Sequence, residues 1–342
     1  MNGTSWLWSG VARGVAVCAA LAALPACAVR PGEESRRHGD EIVVAGRFFR
    51  TGAPVVLWTD PGGYDAYRVE RRFVPIEASS WEETVKVWTD PASGAVATPN
   101  RYSMRRRGLS AEEIEAVRGG GWTLEMLQRT VDQFVLHYDV CGTSRVCFRV
   151  LHDMRGLSVH FLLDIDGTIY QTLDVKERGR HATVSNDRSV GIEIAHIGAY
   201  PPGKDQILER WYARDEQGWQ VTLPSHLGGG GVRTPGFIGR PARDGPVEGA
   251  IHGQTLVMHD FTPEQYDSLI KLTAALCTIF PEMACDYPRD AGGALVTTNL
   301  SEEALAGYRG LLGHYHVQRD KIDPGPAMDW DRVVRGARRL LR

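Results

Sequence analysis

The chain is short of the features that would tie it to nucleic acid, to the bilayer interior or to a thiolate-bound metal. Its 39 Lys and Arg are offset by 42 Asp and Glu, a formal net charge of −3. That balance gives no global pull toward a polyanion, and no nucleic-acid motif is present. The basic cluster Met104-Arg105-Arg106-Arg107 reads as a solvated face. Cysteines number six in 342 residues, and no C-x2-C spacing occurs, which excludes a four-thiolate zinc site. The run Gly228 to Gly231 has no lysine at the right place after it, so it is not a phosphate loop. The apolar run Gly14 to Ala26 is too short to span a bilayer.

That run does match a secretory leader, with Arg13 before it and small residues at its end. Leu24-Pro25-Ala26-Cys27 resembles a bacterial lipobox, in which Cys27 becomes the lipidated first residue. Residues 1–26 are then a lipoprotein signal peptide. Residues 27–40, polar and charged, are a flexible tether. Ala28 after the cysteine points to the outer membrane, facing the periplasm. Contact with membrane would be through the lipid anchor alone. Four cysteines remain: Cys141 and Cys147 with five residues between them, Cys277 and Cys285 with seven. An even number in an exported chain reads as disulfides; three pairings are possible, and the two local ones are simplest.

The periodicity predicts an α/β fold with a central mixed β-sheet flanked by helices. Residues 41–120 form an N-terminal extension packed on a domain of residues 121–342. In the extension, Ile42-Val43-Val44 and Val55-Val56-Leu57-Trp58 read as strands between turn signals. Ser110 and Thr262 are N-caps, the latter with Pro263 in the first turn. Leu269, Leu272, Leu276 and Phe280 step by three or four and mark one buried helix face. Gln133 to His137 and Ser189 to Ala195 read as core strands. Ser158 to Asp164 and Thr168 to Leu173 form a hairpin about Asp166-Gly167. Residues 200–257 read as a long loop-like insertion, and Trp330 to Arg342 as a terminal helix with a basic stripe.

The chemistry converges on Gly313 to Trp330. A short loop there carries His314, Lys321 and Asp323, with Pro324 fixing Asp323 in extended backbone. With His137 from the end of an apolar strand, two imidazoles and one carboxylate make a catalytic zinc arrangement with an open fourth position. Such a site needs a base near its water and a cation near the developing oxyanion. Glu193 and Lys321 are the candidates. His160 reads as packing, and His316 as a less apt substitute for His314.

Five stretches, in order, resemble the zinc N-acetylmuramoyl-L-alanine amidases of the type-2 family, whose fold is shared with peptidoglycan recognition proteins. They are Val135-Leu136-His137-Tyr138, the hairpin Ser158 to Gln171, Arg180-His181-Ala182 with Asn186, Ser189 to Ile194, and Gly313-His314 with Lys321 to Trp330. The resemblance implies one Zn2+ per chain held by His137, His314 and Asp323. It implies Glu193 as general base and acid, Lys321 as oxyanion stabiliser, and His181 and Asn186 lining the substrate groove. It likens Cys141 and Cys147 to a short disulfide after the first ligand. The implied substrate is peptidoglycan or its muropeptide fragments, cut between N-acetylmuramic acid and L-alanine. Two alternatives remain: a non-catalytic peptidoglycan binder on the same fold, and a zinc amidase for another amide. The chain departs from the family at Tyr315-His316-Val317-Gln318, at Thr183 and in the insertion.

Overall fold

The computed structural model describes residues 30–68 and 102–342. The leader, Cys27 and residues 69–101 lie outside the described residues. The core is a six-stranded sheet in the order β14-β5-β9-β6-β7-β3. Its strands are β3 (Val55–Leu57), β5 (Gln133–Tyr138), β6 (Phe161–Leu163), β7 (Ile169–Gln171), β9 (Ser189–Ile194) and β14 (Gly310–Gly313). β14, β5, β9 and β6 run parallel to one another, while β6 and β7 form the antiparallel hairpin with Phe161 opposite Gln171. The fold is therefore the mixed sheet with flanking helices that the sequence implies.

Alternation along the strands decides the two faces. Phe134, Leu136 and Tyr138 of β5 and Val190, Ile192 and Ile194 of β9 all enter the main core. The opposite face carries Val135, His137, Gly191 and Glu193, and there the site is built. The helix Pro263–Ile279 seals the core face. Thr262 and Gln265 form its capping box, and Leu269, Leu272, Leu276 and Phe280 are each at most 1% exposed. Ser110 caps the helix Ala111–Arg118 in the same way. The terminal helix runs from Trp330 to Leu340. Among the described residues no helix is long and apolar enough to cross a membrane.

The structure adds detail to three expectations. The tether is not loose from Gly32 onward. Gly32 and Ser35 donate their N–H groups to Arg50 and Phe48 on the hairpin of β1 (Glu41–Val44) and β2 (Arg47–Arg50), and Arg37 reaches the Val55 carbonyl at 2.7 Å. The extension does not merely pack on the sheet, because β3 is its edge strand, parallel to β7. The insertion is two antiparallel hairpins, not a loop: β10 (Tyr212–Asp215) with β11 (Gly218–Val221), and β12 (Val247–Ile251) with β13 (Gln254–Met258).

The basic cluster also divides. Arg106 is exposed, but Arg105 is fully buried. It follows β4 (Tyr102–Met104), which pairs with β8 (Glu177–Gly179). Its guanidinium donates to the carbonyls of Val175, Asn186 and Ser189 at 3.1, 3.2 and 2.9 Å. Among the described residues no carboxylate forms an ion pair with it, and burial lowers its pKa to about 10. One arginine of the extension thus ties β8, the 181–188 loop and the start of β9 together.

All four described cysteines are free thiols. They nonetheless stand in the two local pairs, with Cys141 and Cys147 in sulfur hydrogen-bond contact, and Cys277 and Cys285 likewise.

Three buried histidines share one device. Nδ1 of His160, His196 and His316 accepts the backbone N–H of Gly191, Gly198 and Gly313 at 3.1, 2.8 and 2.8 Å. Nε2 of each lies beside the carbonyl of Glu177, His259 and Val296 at 2.9, 3.0 and 2.7 Å, and His160 Nε2 is also 3.0 Å from the Arg105 guanidinium. Each ring is neutral with both nitrogens used, and burial lowers all three pKa values to about 3. A histidine depressed in this way contributes stability above its unfolded pKa near 6.5, and that stability is lost as pH falls toward 3. The melting temperature should therefore drop on acidification through that window, and His196→Gln should flatten part of the drop. An identical acid profile for the two proteins in calorimetry would contradict this.

Candidate active site

The site stands at the carboxyl ends of parallel strands β14, β5 and β9, where an α/β sheet leaves a crevice for ligand. His137 ends β5, Glu193 lies directly opposite it on β9, and His314 follows the last residue of β14. Asp323 comes from the loop after it, its carbonyl accepting the Tyr315 N–H at 3.2 Å. The Asp323-Pro324 bond is cis.

Three potential ligand atoms converge. His137 Nδ1 and His314 Nδ1 are 3.0 Å apart, and each is 2.9 Å from Asp323 Oδ2. All three residues are buried. The outer nitrogens of both rings are already engaged. His137 Nε2 lies 3.0 Å from His181 Nδ1, and His314 Nε2 lies 2.8 Å from Gln318 Oε1. With the proton on Nε2 in both rings, both Nδ1 lone pairs face the carboxylate oxygen, an acceptor-only set. A zinc ion bound at about 2.0 Å to each ligand holds the three roughly 3.2–3.5 Å apart. The observed triangle is slightly tighter than that, so the residues fit a small divalent cation.

Electrostatics agree. Burial, with His314 beside it, lowers the His137 pKa to about 4, which keeps its lone pair free. Burial alone would raise the Asp323 carboxyl, yet His314 and His137 hold it below the carboxylate range. Burial, and then the charges of Asp323 and Asp139, push Glu193 well above the usual range. Its Oε2 is out of water and has no hydrogen-bond partner. A carboxylate oxygen buried without a partner is costly, and one facing an anionic ligand set suits a place where positive charge or a proton arrives. Asp139 is a second carboxyl with one oxygen out of water. Its Oδ1 takes the N–H groups of Cys141, Gly142 and His196, its Oδ2 takes none, and burial raises its pKa to about 7.

These groups open into a cavity of about 650 Å³. Lys321 borders it, together with Arg155, Arg178 and Arg180. The Lys321 ammonium is partly exposed, 3.6 Å from Asp320. Val140 and Thr183, both β-branched, line the same cavity with φ of +52° and +41°. Left-handed backbone at such residues is a strain that the surroundings must hold in place.

His181 and Asn186 border the cavity, and they also make bonds within the site. His181 bonds the His137 ring, and its Nε2 lies 3.3 Å from Ser189 Oγ. Asn186 Oδ1 accepts the N–H groups of His181 and Ala182 at 3.0 and 2.7 Å. Gly191 is what seats this ring, since a Cβ there would stand 2.5 Å from His181. His316 is not an alternative ligand, both its nitrogens being bonded to backbone. Gln318, the partner of His314, stands in the stretch that departs from the family pattern. Its role was hidden because an i, i+4 contact across the short helix His314–Val317 has no signature without the ligand geometry.

Residues 127–220 match the family described as N-acetylmuramoyl-L-alanine amidase. No curated protein matches the sequence. Among solved structures, a selenomethionine derivative of AmpD is 16% identical with a TM-score of 0.32, covering 82% of this chain and 99% of its own. The endolysin amidase LysCS of Clostridium intestinale URNW is 16% identical with a TM-score of 0.31, over 60% of this chain and 83% of its own. AmiD of E. coli, in complex with the substrate anhydro-N-acetylmuramic acid-L-Ala-D-gamma-Glu-L-Lys, is 16% identical with a TM-score of 0.34, over 60% and 57%. His314 and Asp323 lie beyond the matched stretch, and it is the fold that brings them to His137. The stretch similar to that family includes His137 and Glu193.

Proposed function

We propose that this protein is a zinc-dependent N-acetylmuramoyl-L-alanine amidase that acts on peptidoglycan or its turnover fragments. The observation that carries the reading is the convergence of His137, His314 and Asp323 opposite the carboxyl of Glu193, whose Oε2 is buried without a partner. Bound there, zinc would polarise the amide carbonyl and acidify the attacking water. Glu193 would accept the proton of that water and return it to the leaving nitrogen of L-alanine. Lys321 would offset the charge that develops on the carbonyl oxygen. His181 and Gln318 fix the tautomers and tilt of the two imidazoles. The arginines along the cavity suit a substrate whose stem peptide carries carboxylates.

Zinc titrated into the metal-free chain should bind at one ion per chain, followed calorimetrically. Asp323→Ala should lose that binding while keeping its fold. Absence of binding in the folded wild type would overturn the reading.

Export belongs to the same proposal. Residues 1–26 would be removed, Cys27 would be lipidated, and the domain would face the periplasm from the outer membrane. There Cys141 would oxidise with Cys147 and Cys277 with Cys285. The mass of the mature chain from a membrane fraction tests both modifications; an unlipidated, fully reduced chain would exclude them.

A further inference from the structure

The insertion does more than decorate the domain. Its second hairpin, β12–β13, is anchored along its length, with Ile251, Leu256 and Met258 buried in the main core. Its other side lies on the loop that carries Lys321 and Asp323, and it touches that loop at three places. Gly249 is pressed against Pro326, where an added Cβ would stand 2.7 Å from the Pro326 Cβ. Met258 Sδ accepts the Ala327 N–H at 3.4 Å. At the turn, His252 Nε2 lies 3.0 Å from the carbonyl oxygen of Lys321, so its N–H donates to that carbonyl.

His252 occupies a position that favours glycine. Its φ is +52°, and its own N–H is bonded to the Thr297 carbonyl at 2.9 Å. The ring stands edge-on to Tyr315, centroids 6.3 Å apart. A left-handed non-glycine residue is a cost that the fold bears for what the side chain does. Here the side chain holds the main chain of the lysine assigned to the oxyanion. A lysine side chain is long and mobile and loses rotamer freedom when it is directed. Fixing its Cα narrows the volume that the ammonium samples.

We propose that His252 is a positioning residue for Lys321, and that the insertion hairpin is a clasp that sets where the ammonium meets the reacting carbonyl. The proposal rests on the reading of Lys321 given above, but the contact with its carbonyl does not.

The test is His252→Gly in the zinc-loaded chain. Glycine suits a φ of +52°, so the hairpin keeps its turn and only the ring is lost. The melting temperature should hold or rise. With a synthetic muramoyl-L-alanyl peptide, kcat should fall about 10- to 100-fold, as for a misplaced catalytic group, while KM and zinc affinity stay within about twofold. A second readout does not depend on turnover. The chain has five lysines, and carbon-13 methylation of their amines gives signals that a Lys321→Arg variant assigns. The Lys321 signal should move toward that of a free lysine in His252→Gly. Wild-type kcat with an unmoved signal would overturn the proposal, as would a large fall in melting temperature, which would make His252 a structural residue. If the wild type shows no turnover, the amidase reading fails separately, and the Lys321 signal alone decides the clasp: moved, it supports it; unmoved, it overturns it.

Discussion

Replacing Glu193 by glutamine is expected to lower kcat about 10²- to 10⁴-fold, the range for loss of a positioned acid–base group, with zinc still bound at one ion per chain. The second half of the expectation separates base from ligand. Glu193 is across the strand pair from His137, but the three mutually contacting ligand atoms belong to His137, His314 and Asp323. Glutamine keeps the shape and cannot take a proton. Removing a carboxylate that Asp323 and Asp139 oppose should also not lower thermal stability. Steady-state kinetics and metal analysis on the same sample check both parts. Zinc loss in a folded variant would make Glu193 a ligand. Full activity would move the base elsewhere, and Asp139, with its unpartnered Oδ2, would be the next residue to replace.

Arg105→Ala is expected to cost about 3–5 kcal/mol, because it strips donors from buried carbonyls and leaves a cavity. The carbonyls of Val175, Asn186 and Ser189 would lose their guanidinium donor together. Arg105→Met separates the two contributions: it refills most of the volume but leaves the carbonyls unpaired, so it should recover only part of the loss. Urea unfolding measures both. A loss below about 1 kcal/mol for alanine would mean that water replaces the guanidinium. Activity should fall with stability, since Asn186 lies in the loop that presents His181 to the first ligand and holds the His181 N–H, and Ser189 follows that loop.

What could be read from the sequence, and what could not, follows from how local each signal is. The helix at Pro263, its capping box and its buried stripe depend on residues within two turns of one another, and they appear where expected. The strands through His137 and Glu193 are runs of apolar residues long enough to mark a buried parallel sheet. The ligand loop is similarly compact, with His314, Lys321 and Asp323 within ten residues. The parallel pairing of β3 with β7 joins residues more than a hundred positions apart and leaves no trace in either strand. The hairpins of the insertion are short, and glycine and proline between them mask their alternation. Arg105 looks like its two neighbours in the chain; only the position of β4 beside β8 sends its side chain inward. Gln318 and His252 act through contacts that exist once the loop is folded, so their residue types alone say nothing of them. His181 shows the same limit from the other side. The motif match put it in the groove, and it does line the cavity, but nothing in the motif tells that Gly191 and Asn186 together turn its ring toward His137.

The measurement closest to the central claim is a digest of purified peptidoglycan by the zinc-loaded chain, analysed by mass spectrometry with and without a chelator. The account expects stem peptides with a free L-alanine amino terminus, abolished by chelation and restored by added zinc. A folded, zinc-loaded protein that releases no such peptide from intact wall or from anhydro-muropeptides would contradict it, leaving a binder on this fold or an amidase for another bond.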